Sequence, residues 1–407
     1  MSDIKKLNNS IKAYYFSNAL TSMSIALPHS VLTVLLLSKG LSLSDIAFIQ
    51  SFYSLAIIIF EFPSGIMCDL MNRKKLYIAS NLLLGLFFLM VMFFDGFILI
   101  SAAWFLYGIC TALESGTLDS DVMVNIKKLH QEGEAKETRI SQFIRRSGQF
   151  SLISMLIAST VGSFLYFAIG ETMYLISVML VILSSTVVLK YFTLKQAPLL
   201  NAKGSVGAQI KEHISSCVSE IKNNQTIRLI LILTAVSQIF FQTHFQFWQA
   251  LFLDKQLDKE QFFIFYAVFQ IIGVAVNQVH VDKIKIKRLA SFAVVSIPFF
   301  SLLFYLMYSN DRFIFVALYC VLIVYITLLL LFYAYLYQSK VSIEHISSLT
   351  ALRMSVSRIS ALITLWSIGV LLTWMDIQSV VILNFGLALV LTTVTLLVWL
   401  SHSGIRD

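Results

Sequence analysis

Twelve apolar segments of roughly membrane-spanning length dominate the sequence and restrict the folds open to it. Their approximate limits are 13–38, 44–67, 76–94, 97–122, 143–169, 172–192, 228–253, 261–280, 289–308, 312–337, 348–374 and 378–401. Only 13% of the residues are charged, whereas soluble proteins carry about a quarter. Isolated strands cannot satisfy their backbone hydrogen bonds in lipid. We therefore expect an all-α membrane protein with twelve transmembrane helices.

Basic residues are distributed unevenly between the two sides of the predicted membrane. With both termini inside, all but four of the 30 lysines and arginines fall in cytoplasmic segments. The exceptions are Lys39, Lys255, Lys259 and Arg312. Cytoplasmic loops are enriched in basic residues, so we predict a multi-pass protein of the cell (inner) membrane with both termini cytoplasmic. This bias explains the net charge of +8, and we expect no nucleic-acid partner.

A long polar stretch divides the spans into two groups of six. Within it, apolar residues recur at helical spacing between 210 and 221, which predicts an amphipathic helix on the inner membrane surface. The predicted domains are a six-helix bundle over 1–192, a cytoplasmic linker over 193–227 and a second six-helix bundle over 228–407.

The two halves match each other at a constant offset of 213 residues. Charged pairs at this offset are Asp45 with Asp258, Asp69 with Asp282 and Arg145 with Arg358. Chance matches are less expected for charged residues than for leucine or isoleucine in so apolar a chain. A repeat of two six-helix units is typical of secondary transporters, whose substrate site lies near the bilayer midplane. The halves are therefore predicted to form two pseudo-symmetric bundles.

The link between the second and third spans runs Gly65-Ile66-Met67-Cys68-Asp69-Leu70-Met71-Asn72-Arg73-Lys74. It resembles the loop motif of the major facilitator superfamily, Gly-x-x-x-Asp-x-x-Gly-Arg-Lys, with Asn72 in place of the second glycine. Asparagine tolerates the left-handed backbone conformation, so we expect the turn to be kept. Together with the twelve spans, the central loop and the repeat, the resemblance covers the whole chain.

The resemblance implies two bundles that rock about a central site and open alternately to each side. It also implies that the motif is a cytoplasmic latch, in which Asp69 binds a neighbouring helix end or base. The residues predicted to act in gating are Gly65, Asp69, Arg73, Lys74, Glu61, Arg145 and Arg358. Other roles are open: the motif bases can simply fix topology, Glu61 can form a structural pair, and Arg145 and Arg358 can extend to the interface.

The acid-rich run from Glu114 to Asp121 resembles a bacterial branch of the same superfamily with acid-rich fourth spans. Proton-coupled drug exporters usually carry an arginine in this span and a Gly-Pro pair in the fifth. The fourth span contains no base, and residues 159–163 of the fifth contain one glycine and no proline.

Glu114 lies inside the fourth span, where an ionisable group is costly and is a functional hypothesis by default. On a continuous helix Glu114 and Asp121 share one stripe, whereas Asp119 points elsewhere. A buried carboxyl binds a proton more readily than an exposed one, so we predict that Glu114 and Asp121 couple transport to protons. The alternative for Asp121 is solvation at the cytoplasmic end. The alternative for Glu114 is a fixed ion pair with Arg145, Arg146 or Arg358.

Uncharged amides recur on one face of the seventh span, within roughly an 80° arc. The amide residues are Gln238, Gln242, Gln246 and Gln249; Phe245 lies on the same face and Trp248 flanks it. Amides turned to lipid would be costly, so these six residues are predicted to contact substrate. The alternative is hydrogen bonding between packed helices. Amides with aromatic rings suit an amphipathic organic molecule or a sugar.

Two further residues are candidates for substrate binding. His29 follows Pro28 in the first span, where we expect a broken helix that lines the cavity. Tyr325 lies in the tenth span. A packing role is the alternative for His29.

The leading hypothesis is a secondary transporter that uses protons to export an amphipathic small molecule, such as a drug or a peptide-like metabolite. An importer of a polar nutrient and a non-transporting membrane sensor or immunity protein are the alternatives. We expect a monomer in the lipid bilayer with a small-molecule substrate. No Gly-x-x-x-x-Gly-Lys run, metal-ligand cluster or nucleophile arrangement occurs, so we expect no enzyme activity, cofactor or metal. The four cysteines fit no metal spacing.

Overall fold

The structure is a computed structural model that describes residues 2–129, 134–194, 219–279, 309, 311–341 and 346–402. Within these ranges the regular structure is helical, and no strand occurs. The main helices are α1 (Ser2–Ala26), α2 (Leu32–Ser38), α3 (Leu43–Leu70), α4 (Arg73–Phe93), α5 (Phe97–Glu114), α6 (Leu118–Leu129), α7 (Glu134–Ile169), α8 (Met173–Tyr191), α9 (Gln225–Asp254), α10 (Phe262–Val276), α11 (Arg312–Lys340), α12 (Ile346–Leu371) and α13 (Ile377–His402).

Nine stretches of the described residues are long and apolar enough to cross a membrane. One of them, Gln142–Tyr191, contains the fifth and sixth predicted segments. The first segment, 13–38, is not among the nine and is divided between α1 and α2. The ninth segment, 289–308, lies outside the described residues. The all-α membrane fold is thus confirmed.

Contacts within the chain define two compact units, Met1–Asn201 with Lys259–Ala267 and Ala202–Asp258 with Val268–Asp407. In the first unit, α1 packs on α7 and α8, and α5 packs on α3 and α4. In the second, α9 packs on α11, α12 and α13. The amphipathic helix predicted between 210 and 221 falls, up to residue 218, outside the described residues.

Contacts between loops show that successive spans of the first unit run in opposite directions. At one end, Nζ of Lys39 lies 2.9 Å from Asp95 and 2.6 Å from Glu171, which joins the loops after the first, third and fifth spans. At the other end, Arg73 in the loop after the second span reaches Asp121 at the end of the fourth. The loops after the odd-numbered spans therefore lie at one end of the first unit and those after the even-numbered spans at the other, as the predicted order of spans requires.

Two predicted spans are interrupted. Residues 27–31, which include Pro28, form turns between α1 and α2, so the first span is broken where the proline predicted it. The fourth span is broken at Ser115–Thr117, between α5 and α6, and Gly116 has φ 73°. The prediction of one continuous fourth helix was wrong, because a glycine in the left-handed region ends α5.

Hydroxyl groups tie α1 to its neighbours inside the first unit. The hydroxyls of Thr21, Tyr77 and Ser184 are hydrogen bonded to one another at 2.9 to 3.0 Å. The hydroxyl of Ser30 donates to the carbonyl oxygen of Ser159 at 2.6 Å. Small polar residues allow membrane helices to approach closely and to bond across the interface, so these bonds fix α1 against α4 and α8, and the turns after α1 against α7.

Candidate functional site

The motif loop is a tight connection from α3 to α4. Asn72 precedes α4 with φ −69° and ψ 110°, and its side-chain oxygen accepts a hydrogen bond from the backbone N–H of Lys75 at 3.1 Å. The turn is kept as expected, but Asn72 does not adopt the left-handed conformation. Asparagine acts here as a helix N-cap, which stabilises an exposed backbone donor at the start of α4.

Arg73 is the centre of the motif. Its Nη1 lies 3.0 Å from Oδ1 of Asp121, and its Nε donates to the carbonyl oxygen of Cys68 at 3.0 Å. Asp121 is buried and ion paired, so the alternative that it is solvated was wrong. The pair joins the end of α3, the start of α4 and the first turn of α6.

Lys74 binds the end of α8. Its Nζ donates to the carbonyl oxygens of Leu189 at 3.0 Å and Phe192 at 2.9 Å. The last carbonyls of a helix lack partners within the helix and carry partial negative charge, which favours a cation there. Arg73 therefore links the motif loop to α6, and Lys74 links it to α8.

The other predicted gating residues lie apart from this cluster. Gly65 and Glu61 are exposed on α3, and the side chain of Asp69 lies outside the described ones. Arg145 is exposed on α7, and Arg358 is half-buried on α12.

A cavity of about 300 Å³ lies around Glu114 in the first unit. The break after α5 shapes this cavity, because it brings Asp119 from the start of α6 to the same space as Glu114. The lining residues are Tyr14, Asn18, Tyr77, Thr111, Glu114, Ser115, Gly116, Thr117, Leu118 and Asp119. Asp119 was predicted on another face, because the fourth span was expected to be an unbroken helix.

Hydrogen bonds hold the cavity walls. The hydroxyl of Ser147 donates to the hydroxyl of Tyr14 at 3.3 Å and accepts from Nδ2 of Asn18 at 3.4 Å. The hydroxyl of Thr117 donates to the carbonyl oxygen of Glu114 at 2.7 Å. Among the described side chains of the first unit, no base forms an ion pair with Glu114. Two carboxyl groups thus line one cavity.

The glutamine row of α9 divides into two parts. Nε2 of Gln242 donates to Oε1 of Gln238 at 3.1 Å, and both residues are half-buried, as are Phe245 and Gln246. Gln249 and Trp248, one turn further on, are only 2% and 3% exposed. The first part of the row is open to contact, whereas the second is packed inside the second unit.

An unpredicted pair lies beside this row. Nδ1 of His244 lies 2.8 Å from the hydroxyl oxygen of Tyr319 on α11. The rings of Phe269 and Phe252 lie 5.8 and 5.2 Å from that of Tyr319. The periodicity of one helix does not predict this pair, because the two residues meet only through the packing of α9 against α11.

The last two candidates for substrate binding, His29 and Tyr325, differ in how far they are buried. His29 is half-buried in the turns between α1 and α2. Tyr325 is buried within α11.

Comparisons with known proteins agree with this architecture. Residues 14–118 match the family model described as Major Facilitator Superfamily. No curated protein matches the chain in sequence. The solved structure of the nucleoside transporter NupG is 13% identical, with 98% of this chain and 100% of that chain covered and a TM-score of 0.75.

Two other solved structures share the fold. A bacterial homolog of the human lysosomal transporter Spinster, inward-facing and unoccupied, is 12% identical over 97% of this chain and 96% of that chain, with a TM-score of 0.70. The POT family transporter PepTSo is 11% identical over 98% of this chain and 99% of that chain, with a TM-score of 0.66. These identities establish a common fold alone. The first spans therefore match the Major Facilitator Superfamily model in sequence, and the chain shares its fold with membrane transporters of known structure.

Proposed function

We propose that the chain is a secondary transporter that works by alternating access and couples protons to the export of an amphipathic small molecule. The observation that carries this proposal is the cavity of about 300 Å³ that Glu114 and Asp119 share. Asp121 is neutralised by Arg73, whereas Glu114 has no ion-pair partner among the described residues. A carboxyl group in a span that lacks a fixed counter-charge is suited to bind and release a proton.

The half-buried part of the glutamine row supports contact with a substrate that has polar and apolar parts. Gln238, Gln242 and Gln246 offer donors and acceptors without charge, and Phe245 offers a flat apolar surface beside them. His29 and Tyr325 are proposed as further contacts. The motif cluster around Arg73 and Lys74 is proposed to stabilise one state of the transport cycle, with Gly65, Asp69, Glu61, Arg145 and Arg358 in the same role.

The half-buried pair of Gln238 and Gln242 favours a second candidate, the uptake of a polar nutrient, because paired amides suit a substrate rich in hydroxyls. The same fold occurs in the nucleoside transporter NupG and in a POT family transporter in complex with a thioalcohol-conjugated peptide. Export and import differ in the side from which the substrate enters.

Two measurements test the proposal. A panel of toxic compounds, applied to cells with and without the gene, identifies a substrate, which is then followed in inside-out vesicles under an imposed pH gradient. Glu114→Gln is expected to keep substrate exchange at zero gradient but to lose gradient-driven accumulation, and Asp119→Asn is expected to reduce that accumulation. Asp254→Asn removes an exposed carboxylate at the end of α9 and serves as the control. Full gradient-driven transport by Glu114→Gln would reject the coupling role, and absence of any flux would favour a sensor.

A further inference from the structure

A second cavity, a groove of about 560 Å³, lies between the first half of α1 and the start of α7. Its basic side chains are Lys12, Arg139 and Arg146, and its aromatic side chains are Tyr15, Phe143 and Phe150. The proposed transport function uses neither set. None of the residues that line this groove is acidic.

One of the three basic side chains of the groove is held by a hydrogen bond, and the other two are exposed. Nη2 of Arg139 donates to Oδ1 of Asn8 at 2.8 Å, which positions its guanidinium group at the wall of the groove. Lys12 and Arg146 are exposed. Three cations around one space attract an anion, and arginine binds phosphate oxygens through several donors at once.

The aromatic side gives the groove an apolar wall. The ring of Tyr15 stacks on those of Phe143 and Phe150, with centroids 5.7 and 5.4 Å apart. Beyond Phe150, α7 continues with exposed apolar residues at Ile153 and Ile157, three and seven positions further on. These spacings place the three side chains on one face of the helix, so the apolar surface extends from the groove along α7.

The groove lies at the boundary of a span. The fifth span is predicted over 143–169, so Arg139 precedes it, Arg146 lies one turn inside it and Phe150 two turns inside. Cations at the interface followed by apolar surface at greater depth match the head and the chain of a phospholipid. Basic pockets between helices at the cytoplasmic interface bind anionic headgroups. We propose that this groove binds the phosphate headgroup of an anionic phospholipid.

The test uses the purified full-length chain in detergent. Phosphatidylglycerol and phosphatidylcholine with the same acyl chains are titrated, and bound lipid is counted by native mass spectrometry. The wild type is expected to bind phosphatidylglycerol in preference. Lys12→Gln and Arg146→Gln are each expected to weaken that binding about fivefold, the effect of one cation near an anionic lipid. Both side chains are exposed, so neither change threatens folding.

Arg145→Gln is the matched control, because Arg145 is an exposed neighbour of Arg146 that does not line the groove. It is expected to bind phosphatidylglycerol like the wild type. Equal losses in Arg145→Gln and Arg146→Gln would mean diffuse surface attraction and overturn the site, as would a wild type without preference for the anionic lipid. Displacement of the lipid by millimolar inorganic phosphate would identify a free-anion site and overturn the lipid assignment. Lipid binding needs no transport, so this test is independent of the proposed function.

Discussion

Nη1 of Arg73 lies 3.0 Å from Oδ1 of Asp121, and the two side chains are only 3% and 4% exposed. Arg73 is the first residue of α4, and Asp121 lies in the first turn of α6, just after the break in the fourth span. The desolvation of both charges offsets much of their attraction, but loss of one partner leaves the other buried and uncompensated. The pair therefore makes the motif loop and the broken fourth span depend on each other.

Replacement of Arg73 alone is expected to destabilise the protein strongly. Arg73→Met leaves the carboxylate of Asp121 buried without its partner, which costs about 3–5 kcal/mol. Thermal unfolding of the purified protein in detergent measures the loss, with Lys75→Met as control because Lys75 is an exposed base in the same first turn of α4. The double variant Arg73→Met with Asp121→Leu should regain most of the stability. A single variant as stable as the wild type would contradict the buried pair.

The helices could be predicted from the sequence because apolar runs of about this length form membrane-spanning helices. Alternation of the loops followed from the distribution of basic residues, and the contacts of Lys39 and Arg73 agree with it. The partner of Arg73 could not be predicted. The position of Asp121 near the end of the fourth span left solvation open as an alternative, and only the packing of α4 against α6 shows that it is buried.

The cavity around Glu114 was only half predictable. Glu114 itself stood out as a carboxyl inside a span, but helical periodicity assigned Asp119 to a different face. The signal that could have corrected this was Gly116, because a glycine between serine and threonine often ends a helix. The burial of Trp248 and Gln249 was also not predictable from periodicity alone. Gln249 shares a helix face with Gln242 and Trp248 flanks it, but neighbouring helices cover this end of the face and bury both side chains.

Gly162 on α7 is expected to tolerate no side chain. A Cβ there would overlap the carbonyl oxygen of Leu27, in the turn after α1. Gly162→Ala must push α7 away from this turn, and we expect a loss of at least about 3 kcal/mol or no folded protein. Gly148→Ala is the control on the same helix, because a Cβ there meets nothing within 4 Å.

Alanine is a better helix former than glycine by about 0.5–1 kcal/mol, so the Gly148 variant should be as stable as the wild type or more so. Yield and thermal unfolding in detergent compare the two variants. Equal stability of both would show that α7 does not approach Leu27 so closely.

Lys39 is expected to stabilise the protein at neutral pH and to lose this contribution at high pH. Its ammonium group, with a side chain only 3% exposed, is bonded to Asp95 and Glu171. Burial opposes the charge, but the two carboxylates outweigh it and raise the pKa of Lys39 above its ordinary value of 10.5. The contribution is therefore complete below pH 10.5 and is lost as the pH rises through the raised pKa.

Lys39→Met removes this contribution. We expect the variant to be less stable than the wild type by roughly 1–3 kcal/mol, since hydrogen bonds to charged groups are lost. Unfolding in detergent across the pH range measures the difference, which should shrink above pH 10.5. Lys5→Met, which removes an exposed charge on α1, should show no such dependence. A difference that stays constant through that pH range would point to packing of the side chain instead.

Gln242 is expected to affect substrate affinity without affecting stability. It is half-buried, and its described partner is Gln238 on the preceding turn of the same helix. Leucine has a similar volume but no donor or acceptor, so Gln242→Leu should weaken substrate binding by about 1–2 kcal/mol, or roughly tenfold in KM. Transport in vesicles, with the substrate found in the compound panel, measures this change. Gln225→Leu is the control, because Gln225 is exposed at the first residue of the same helix and should transport like the wild type. If Gln242→Leu and Gln246→Leu both kept the wild-type KM, the half-buried face of α9 would be a helix contact and the substrate would bind elsewhere.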